Sequence, residues 1–348
     1  MQRFAYTQPH TLAAATAALA QYPTAAIKAG GVDLLDLLKE RLVTPEVVVD
    51  ISEVPECQGI RLDAETGALR IGSLTTFAQL VGSAQIQERW PALAQLAMSA
   101  ATPQIRNQAT LGGNLCQRPR CWYFRQEDYL CLKKGGERCF ALEGDNRSHA
   151  IFVNQTCAMT HPSGAAVPLL AYAASVHVID PKKGGQERLI PLADFFLSPE
   201  QNIRQENVLT AGEIITGIRV PRLAPKTGSV YLNLKHKQSF DWPMVEAAVV
   251  LVPSARQPVS QPENIVQEAR IVLGSVAPTP LRSATAEAVL QGNSITEAIA
   301  DRAGQAATQG ARPLALNGEK VPLLAELVRR AVLKAAGKLP RADEVMSL

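Results

Sequence analysis

Apolar positions near the start of the chain follow the strand period and the helix period in alternation. Val47-Val48-Val49-Asp50-Ile51 is strongly β-branched, which favours a strand, and Thr11 fits the N-cap position of the alanine-rich stretch after it. The pattern predicts strands at Phe4–Tyr6, Ala25–Ala29 and Val47–Ile51, and helices from Thr11 to about Ala20 and from Leu34 to Glu40. These elements form a small β-α-β unit with the glycine turn Ala29-Gly30-Gly31-Val32-Asp33 between a strand and a helix.

A second region begins near Cys57 and ends at Pro221. Its apolar patterns predict strands at Leu69–Ser73, Ser175–Ile179 and Ile214–Pro221, and helices at Thr76–Val81, Ile86–Glu88, Leu93–Ala101 and Ala166–Ala174. A second glycine turn, Leu111-Gly112-Gly113-Asn114, lies between the third of these helices and a cysteine-rich insertion at about 115–158.

A third region follows the proline-marked linker Pro221–Lys226. Strands are predicted at Ser229–Leu234, Met244–Val252 and Ala269–Gly274, followed by helices at Ala284–Gln291, Ile295–Thr308 and Val321–Ala336. Strands followed by helices are typical of an α+β domain. We therefore expect an α+β fold with an α/β subdomain at 1–55, a second at 56–223 and a C-terminal α+β domain at 228–340.

Composition excludes several classes of protein. A net charge of +3 without a long run of one sign argues against a nucleic-acid binder, which needs a concentrated basic face. The longest apolar run, Ala165 to Ile179, is too short and too polar to span a membrane. Residues Met1 to Gln21 lack the layout of a secretory signal, so a cytoplasmic location is expected. In that compartment, cysteines indicate metal ligands or free thiols rather than disulfides.

Five of the six cysteines fall in the insertion, with the spacing Cys116-x4-Cys121-x9-Cys131-x7-Cys139-x17-Cys157. The segment is also basic, and a thiolate cage in cationic surroundings suits an iron–sulfur cluster. No compact Cys-x-x-Cys pair is present, so neither a zinc ribbon nor a bacterial ferredoxin run fits. The cysteine spacing by itself is compatible with an iron–sulfur cluster, a zinc-stapled loop or buried free thiols.

The two glycine turns each follow an apolar segment, as expected for loops that approach a dinucleotide diphosphate. Neither matches Gly-x-Gly-x-x-Gly or the P-loop pattern, so a nicotinamide-type Rossmann site and a P-loop are disfavoured. The histidines are scattered, and no Ser/His/Asp hydrolase pattern emerges.

These motifs together resemble a known family. Ala29–Leu34, Gln104–Asn114, His161-Pro162-Ser163, Ile214–Ile218, Ser239–Pro243 and Val276–Arg282 occur in the order found in the FAD-binding subunit of molybdenum hydroxylases, the xanthine dehydrogenase, carbon monoxide dehydrogenase and aldehyde oxidoreductase family. The resemblance covers nearly the whole chain. The cysteine insertion is similar to the aldehyde oxidoreductase version, which carries an extra [4Fe–4S] cluster.

The resemblance implies a PCMH-type FAD-binding fold of two α/β subdomains, with a C-terminal domain of the CO dehydrogenase flavoprotein type. It assigns FAD contacts to Lys28, Ala29, Gly30, Gly31, Val32, Asp33, Leu34, Ala101, Thr110, Gly113, Asn114, Ile215 and Lys235. It assigns the cluster to Cys121, Cys131, Cys139 and Cys157, with Cys116 as the alternative to Cys157, while Cys57 is expected to be a core thiol. One position departs from the family, which usually has Asp after His-Pro-Ser where this chain has Gly164.

The implied activity is that of an electron-transfer subunit, an oxidoreductase component that is inactive on an organic substrate alone and has no catalytic residue of its own. Its partners would be a molybdenum-cofactor large subunit and a [2Fe–2S] small subunit, in a heterotrimer or a dimer of it, and an external electron acceptor. Export with a partner would make the chain periplasmic. The alternatives are a zinc-stapled flavin protein without a redox relay, a subunit of the xanthine dehydrogenase or hydroxybenzoyl-CoA reductase type, and a stand-alone flavin oxidase of the vanillyl-alcohol-oxidase superfamily, for which the sequence offers no catalytic base.

Overall fold

Strands of the described residues form three sheets, one of three strands, one of five and one of four. The structure is a computed structural model, and it describes residues 1–22, 24–180, 182, 185–237, 240–254 and 265–339. Ser239 of one family motif and the expected domain end at 340 lie outside these residues.

The strands are, in chain order, β1 (Ala5–Thr7), β2 (Ala26–Lys28), β3 (Val47–Asp50), β4 (Ile60–Leu62), β5 (Leu69–Gly72), β6 (Ser175–Asp180), β7 (Gln186–Pro191), β8 (Ile214–Val220), β9 (Gly228–Lys235), β10 (Pro243–Pro253), β11 (Val266–Gly274) and β12 (Leu281–Arg282). The strand orders in the three sheets are β1-β3-β2, β4-β5-β8-β6-β7 and β12-β11-β10-β9.

The α-helices are α1 (Leu12–Gln21), α2 (Leu34–Lys39), α3 (Phe77–Gly82), α4 (Ala84–Arg89), α5 (Pro91–Ser99), α6 (Pro103–Gln108), α7 (Leu111–Leu115), α8 (Trp122–Arg125), α9 (Ala166–Ala171), α10 (Ala284–Leu290), α11 (Glu297–Ala307) and α12 (Lys320–Ala335).

The chain divides into two compact units whose segments alternate along the sequence. The first unit comprises Met1–Gly82, Ala101–Phe140 and Ala173–Arg222, and the second comprises Ser83–Ala100, Ala141–Tyr172 and Leu223–Leu348. The boundary at Phe140–Ala141 falls inside the cysteine-rich insertion. The division into 1–55, 56–223 and 228–340 stays a prediction.

In the first unit, a parallel sheet of β1, β3 and β2 follows from the β-branched run at Val47–Asp50, which lies in the middle and is buried throughout. The side chain of Thr11 accepts a hydrogen bond from the Ala14 amide and caps α1, as predicted. Val49 and Ile51 pack with Ala15 and Leu19 of α1 in the core beneath this sheet, where Cys57 is fully buried, as expected for a core thiol.

The first unit also holds an antiparallel five-stranded sheet with β8 at its centre. Both neighbours of β8 pair with it along the apolar run at 214–220, which is buried except at Arg219. The structure adds β4 and β7, which the apolar pattern missed because both are mostly exposed edge strands with charged residues.

The second unit is built on an antiparallel sheet of four strands, in which β10 is paired on both sides and nearly all buried. The helices α10 to α12 contribute Leu290, Ala303 and Val328 to the core of this unit, together with Val249 and Ile271 of the sheet. Strands followed by helices in this region agree with the expected α+β class. No helix among the described residues combines the length and the apolar character needed to cross a membrane.

Candidate functional site

A cavity of about 350 Å³ opens in the first unit, at the carboxyl end of β2. Two glycine turns, one after β2 and one around α7, contribute to its wall together with the start of β8. The residues that line it are Ala25, Ile27, Ala29–Leu34, Leu37, Ile51, Ser73, Leu74, Ala109, Thr110, Gly112–Asn114, Cys116–Arg118, Arg120, Leu209, Thr210 and Gly212–Ile215.

The first turn presents its backbone to this cavity. Gly31 has φ +76°, a conformation that glycine adopts at little cost, and α2 begins three residues later at Leu34. The amides of Gly30, Gly31 and Val32 donate to no acceptor in the described part of the chain. Open amides in a glycine turn are suited to the oxygens of a phosphate.

The second turn is a short helix rather than the open turn that its glycines predict. The Thr110 hydroxyl accepts a hydrogen bond from the Gly113 amide at 3.2 Å and caps α7. Gly112 packs directly on Ser73, the residue after β5, so closely that a Cβ at this position would lie 2.8 Å from the Cβ of Ser73. Close packing therefore explains this glycine better than backbone freedom does.

The two turns are in contact with each other. A Cβ on Gly30 would lie 1.7 Å from the carbonyl oxygen of Gln108, so only glycine allows this approach. The Ala109 and Thr110 backbone then continues along the cavity wall. Two segments that are about eighty residues apart in sequence thus share one wall.

Ten of the thirteen residues that the resemblance assigns to FAD line this cavity, namely Ala29, Gly30, Gly31, Val32, Asp33, Leu34, Thr110, Gly113, Asn114 and Ile215. The other three are Lys28, Ala101 and Lys235, which are absent from the cavity lining. The Lys28 ammonium is 2.6 Å from Asp50 Oδ2, and Ala101 has φ +50°. Lys235 belongs to the second unit, where its Nζ donates to the Ser99 carbonyl at 2.7 Å.

Sequence reasoning missed several residues of the cavity wall. Arg118 and Arg120 line it, although their only sequence signal was the basic character of the insertion, which pointed to a cluster. The loop from Leu209 to Glu213 also lines it and carries no motif. Glu213 of that loop is held in place by Arg188 through contacts of 2.9 and 3.0 Å.

Within the insertion, Cys121 and Cys131 pack beside Leu37, Phe124 and Phe140 in a small apolar cluster. Burial raises the pKa of Cys121 to about 11, while backbone amides of Phe124 and Tyr123 donate to its sulfur and act in the opposite direction. The nearby thiols of Cys139 and Cys131 raise this pKa further. Cys121 is therefore close enough to Cys131 and to Cys139 to interact electrostatically with each of them.

The described residues contain no group of three or more His, Cys, Asp or Glu side chains arranged to hold a metal ion. None of the six cysteines, all of which are described, forms a disulfide. Cys157 belongs to the second unit. The ligand set Cys121, Cys131, Cys139 and Cys157 stays a prediction. The chemistry of its donors fits a cluster, because soft thiolates with amide hydrogen bonds to sulfur are typical of iron–sulfur sites.

Comparison with known proteins defines the class. Residues 2–223 match the profile of the FAD binding domain in molybdopterin dehydrogenase, and residues 230–335 match the CO dehydrogenase flavoprotein C-terminal domain. The chain belongs to the family of FAD-binding subunits of molybdenum hydroxylases, and it is an oxidoreductase subunit.

Two individual members of this family are similar to the chain over most of its length. The chain is similar to the aldehyde oxidoreductase FAD-binding subunit PaoB of Escherichia coli strain K12, with 34% identity over 298 residues, 83% of this chain and 86% of PaoB. It is similar to the carbon monoxide dehydrogenase medium chain of Hydrogenophaga pseudoflava, with 31% identity over 335 residues, 95% of this chain and 96% of the relative.

A solved structure confirms the expected fold. A chain of the carbon monoxide dehydrogenase of Hydrogenophaga pseudoflava that lacks the Mo-pyranopterin moiety of its cofactor aligns with a TM-score of 0.73 at 29% identity. The alignment covers 97% of this chain and 98% of that one.

Proposed function

We propose that this chain is the FAD- and [4Fe–4S]-containing electron-transfer subunit of a heterotrimeric molybdenum hydroxylase of the aldehyde oxidoreductase type. Its partners are a molybdenum-cofactor large subunit and a [2Fe–2S] small subunit, and it passes electrons to an external acceptor. The observation that carries the proposal is the cavity formed by two touching glycine turns, inside the region that matches the FAD-binding family.

In this proposal the open amides of Gly30, Gly31 and Val32 bind the FAD diphosphate. The wall formed by Thr110, Gly113 and Asn114 takes the second phosphate and the ribose, and Ile215 contacts an apolar part of the cofactor. Lys28, Ala101 and Lys235 stay in the proposed set on the resemblance alone. FAD, when bound, supplies the electron-transfer chemistry, and the protein binds and orients it.

The proposed cluster ligands are Cys121, Cys131, Cys139 and Cys157, with Cys116 as the alternative to Cys157. Support comes from the electrostatic interaction of Cys121 with Cys131 and with Cys139, and from the cations of the insertion, which would offset cluster charge. The raised pKa of Cys121 describes the protonated thiol, and a bound metal would displace that proton. The likeness to PaoB is the support for an aldehyde as the substrate class of the complex.

The test is anaerobic purification of the chain with its partner subunits, followed by an absorption spectrum and quantitation of flavin, iron and sulfide on this subunit. We expect one FAD and about four irons per chain. Cys131→Ser should lower iron and sulfide content, whereas Cys57→Ser, which alters a core thiol far from the insertion in sequence, should leave both unchanged.

Each other result selects a different function. Flavin with zinc and no iron would reduce the insertion to a structural staple and end the relay proposal. Unchanged iron in Cys131→Ser would show that the ligand set is wrong. Oxidation of a purine rather than an aldehyde by the complex would favour a xanthine dehydrogenase type, the class named for a relative in Escherichia coli O157:H7 at 29% identity. A cytoplasmic location, or a periplasmic one by export with a partner, is part of the proposal and is tested by cell fractionation.

A further inference from the structure

Two arginines from the start of the cysteine-rich insertion reach the wall of the flavin cavity. Arg118 and Arg120 line it, only a few residues after the end of α7, and their side chains are 27% and 24% exposed. No motif assigns them a role. Long cationic side chains that are mostly buried at a cavity wall need an explanation, because burying charge is costly unless it is paired.

The backbone of these arginines is fixed to the first glycine turn. The Arg118 amide donates to Asp33 Oδ2 at 2.8 Å. Arg125 donates to Asp33 Oδ1 at 2.7 Å, to the Pro119 carbonyl at 2.7 Å and to the Arg118 carbonyl at 2.9 Å. The Asp33 carboxylate and the Arg125 guanidinium therefore clamp Arg118-Pro119-Arg120 against the turn that offers open amides.

The charges of this network do not cancel. Arg120 is 2.9 Å from Asp33 and 3.5 Å from Asp36, while Glu206 pairs with both Arg118 at 2.6 Å and Lys133 at 2.8 Å. The four cations Arg118, Arg120, Arg125 and Lys133 face three carboxylates, Asp33, Asp36 and Glu206. One positive charge is left over within this network, beside a cavity whose amides suit an anion.

The contacts of Asp33 also favour binding of an anion in this cavity. A carboxylate in the phosphate-binding turn would repel a diphosphate if it stood alone. Here two guanidinium groups, from Arg120 and Arg125, contact its Oδ1. Two arginines therefore compensate the charge of Asp33, and Arg188 compensates that of Glu213, the other carboxylate of the cavity wall.

We propose that Arg118 and Arg120 bind the diphosphate of FAD, and that Asp33 and Arg125 are positioning residues that hold both arginines at the cavity. The proposal rests on the proposed FAD-binding function and adds to it a cationic half that comes from the cysteine-rich insertion. Guanidinium groups bind phosphate oxygens through paired, charge-assisted hydrogen bonds, and open amides supply the opposite half of the site.

The experiment measures FAD and riboflavin binding by flavin fluorescence quenching, with the full-length chain stripped of flavin. Arg118→Gln and Arg120→Gln should each weaken FAD binding roughly tenfold to a hundredfold, the range expected for a hydrogen bond to a charged group. The dependence of FAD affinity on salt should become shallower, because a charged contact has been removed. Riboflavin, which lacks the diphosphate, should bind as it does to the wild type.

The matched control is Arg147→Gln, which removes a charge from the same insertion. Arg147 is 66% exposed and pairs with Asp145 on the surface, so FAD affinity should stay within about twofold of the wild type. Arg118→Lys and Arg120→Lys retain the positive charge but lose the paired N–H donors of the guanidinium group. These variants should bind FAD with intermediate affinity. These variants also serve as the test where a glutamine variant does not fold.

Asp33→Asn distinguishes positioning from direct contact by the sign of its effect. Removing a negative charge beside a phosphate would tighten FAD binding if Asp33 only repelled it. We expect weaker binding instead, because Arg118 and Arg120 lose their clamp, and Asp33→Glu should recover part of the affinity.

The outcomes distinguish a failure of the arginine site from a failure of the proposed FAD-binding function. A wild-type chain that binds no FAD overturns the proposed function. A wild-type chain that binds FAD, with unchanged affinity in the arginine variants or an equal loss in Arg147→Gln, overturns the arginine site alone. Tighter binding in Asp33→Asn overturns the positioning role.

Discussion

The Cα of Gly164 faces the carboxylate of Glu246 so closely that a Cβ there would lie 3.4 Å from Glu246 Oε2. Glu246 is 3% exposed and accepts hydrogen bonds from Tyr231 at 2.6 Å and from Ser275 at 2.5 Å. Burial raises the pKa of Glu246, and these two hydrogen bonds act in the opposite direction. The position where the family resemblance implies an aspartate therefore adjoins a buried carboxylate from another element.

Gly164→Asp should consequently destabilise the protein by about 3 kcal/mol. The new Cβ would lie 3.0 Å from Leu96 Cδ1, and a second carboxylate would enter the surroundings of Glu246. Urea unfolding monitored by circular dichroism gives the change in the free energy of unfolding.

A double-mutant cycle identifies the cause of that loss. Glu246→Gln in the Gly164→Asp background should recover about 1–2 kcal/mol of the loss as coupling energy, because it removes the like charge. Gly318→Asp, at an open glycine of the same unit, should have little effect. Strictly additive effects would show that the two positions do not interact.

The contact between Gly30 and Gln108 gives a second prediction. Gly30→Ala should cost about 3 kcal/mol and lower the FAD content of the purified protein, because its methyl group overlaps the Gln108 carbonyl and separates the two turns. Gly82→Ala is the control, since among the described residues no atom beyond its chain neighbours and its own helix backbone lies within 4 Å of the place that its new methyl group would take. Normal stability and flavin content in Gly30→Ala would contradict the close approach of the turns.

A third prediction concerns the loss of folding stability at low pH. Burial lowers the pKa of His161 to about 3, so the folded state keeps this ring neutral while the unfolded chain binds a proton at about pH 6.5. Stability from this group is complete above about pH 6.5 and is lost as the pH falls from there towards 3. The loss should be on the order of 3 kcal/mol by pH 4.5.

Urea unfolding at several pH values from 7 to 4.5 measures this slope. His161→Asn should flatten it, whatever its effect at pH 7, whereas His10→Asn at an exposed histidine should retain it. An unchanged slope in His161→Asn would assign the acid sensitivity to other groups.

The pair of Lys28 and Asp50 gives a fourth prediction. Burial acts to raise the pKa of Asp50, but hydrogen bonds from Lys28, Tyr6 and Ser52 lower it on balance. The resulting stability is present above the unfolded pKa of about 4 and is lost as the pH falls through the folded value. Lys28→Met should cost about 2–3 kcal/mol at pH 7 and move the acid-unfolding midpoint to higher pH, because the buried carboxylate loses its cation.

The control for this pair is Arg70→Met, which breaks the exposed ion pair with Glu187 and should cost no more than about 0.5 kcal/mol. Equal losses in the two variants would mean that the buried position of Asp50 adds nothing to the pair. Acid titration followed by circular dichroism records both midpoints.

The sequence pattern predicted the helices and strands in which local residue preferences agree with burial in the fold. The β-branched run of β3, the Thr11 cap of α1 and the buried strands β8 and β10 were all predicted within a few residues. The helices α6 to α8 were missed, because these short segments show no apolar period and because Gly112 and Gly113 lower the helix propensity of α7. In α7, capping by Thr110 and packing of Gly112 on Ser73 outweigh that propensity.

The sequence alone established the class of fold. It also identified the two glycine turns as candidate phosphate loops and the concentration of thiols and cations in one insertion. Tertiary structure alone decided that Gly30 touches Gln108, that Asp33 holds Arg118 and Arg125, and that Glu246 adjoins Gly164. The reason is physical. Propensity and periodicity act between near neighbours in the chain, whereas steric fit and charge pairing act between atoms within a few ångströms, whichever residues the fold brings together.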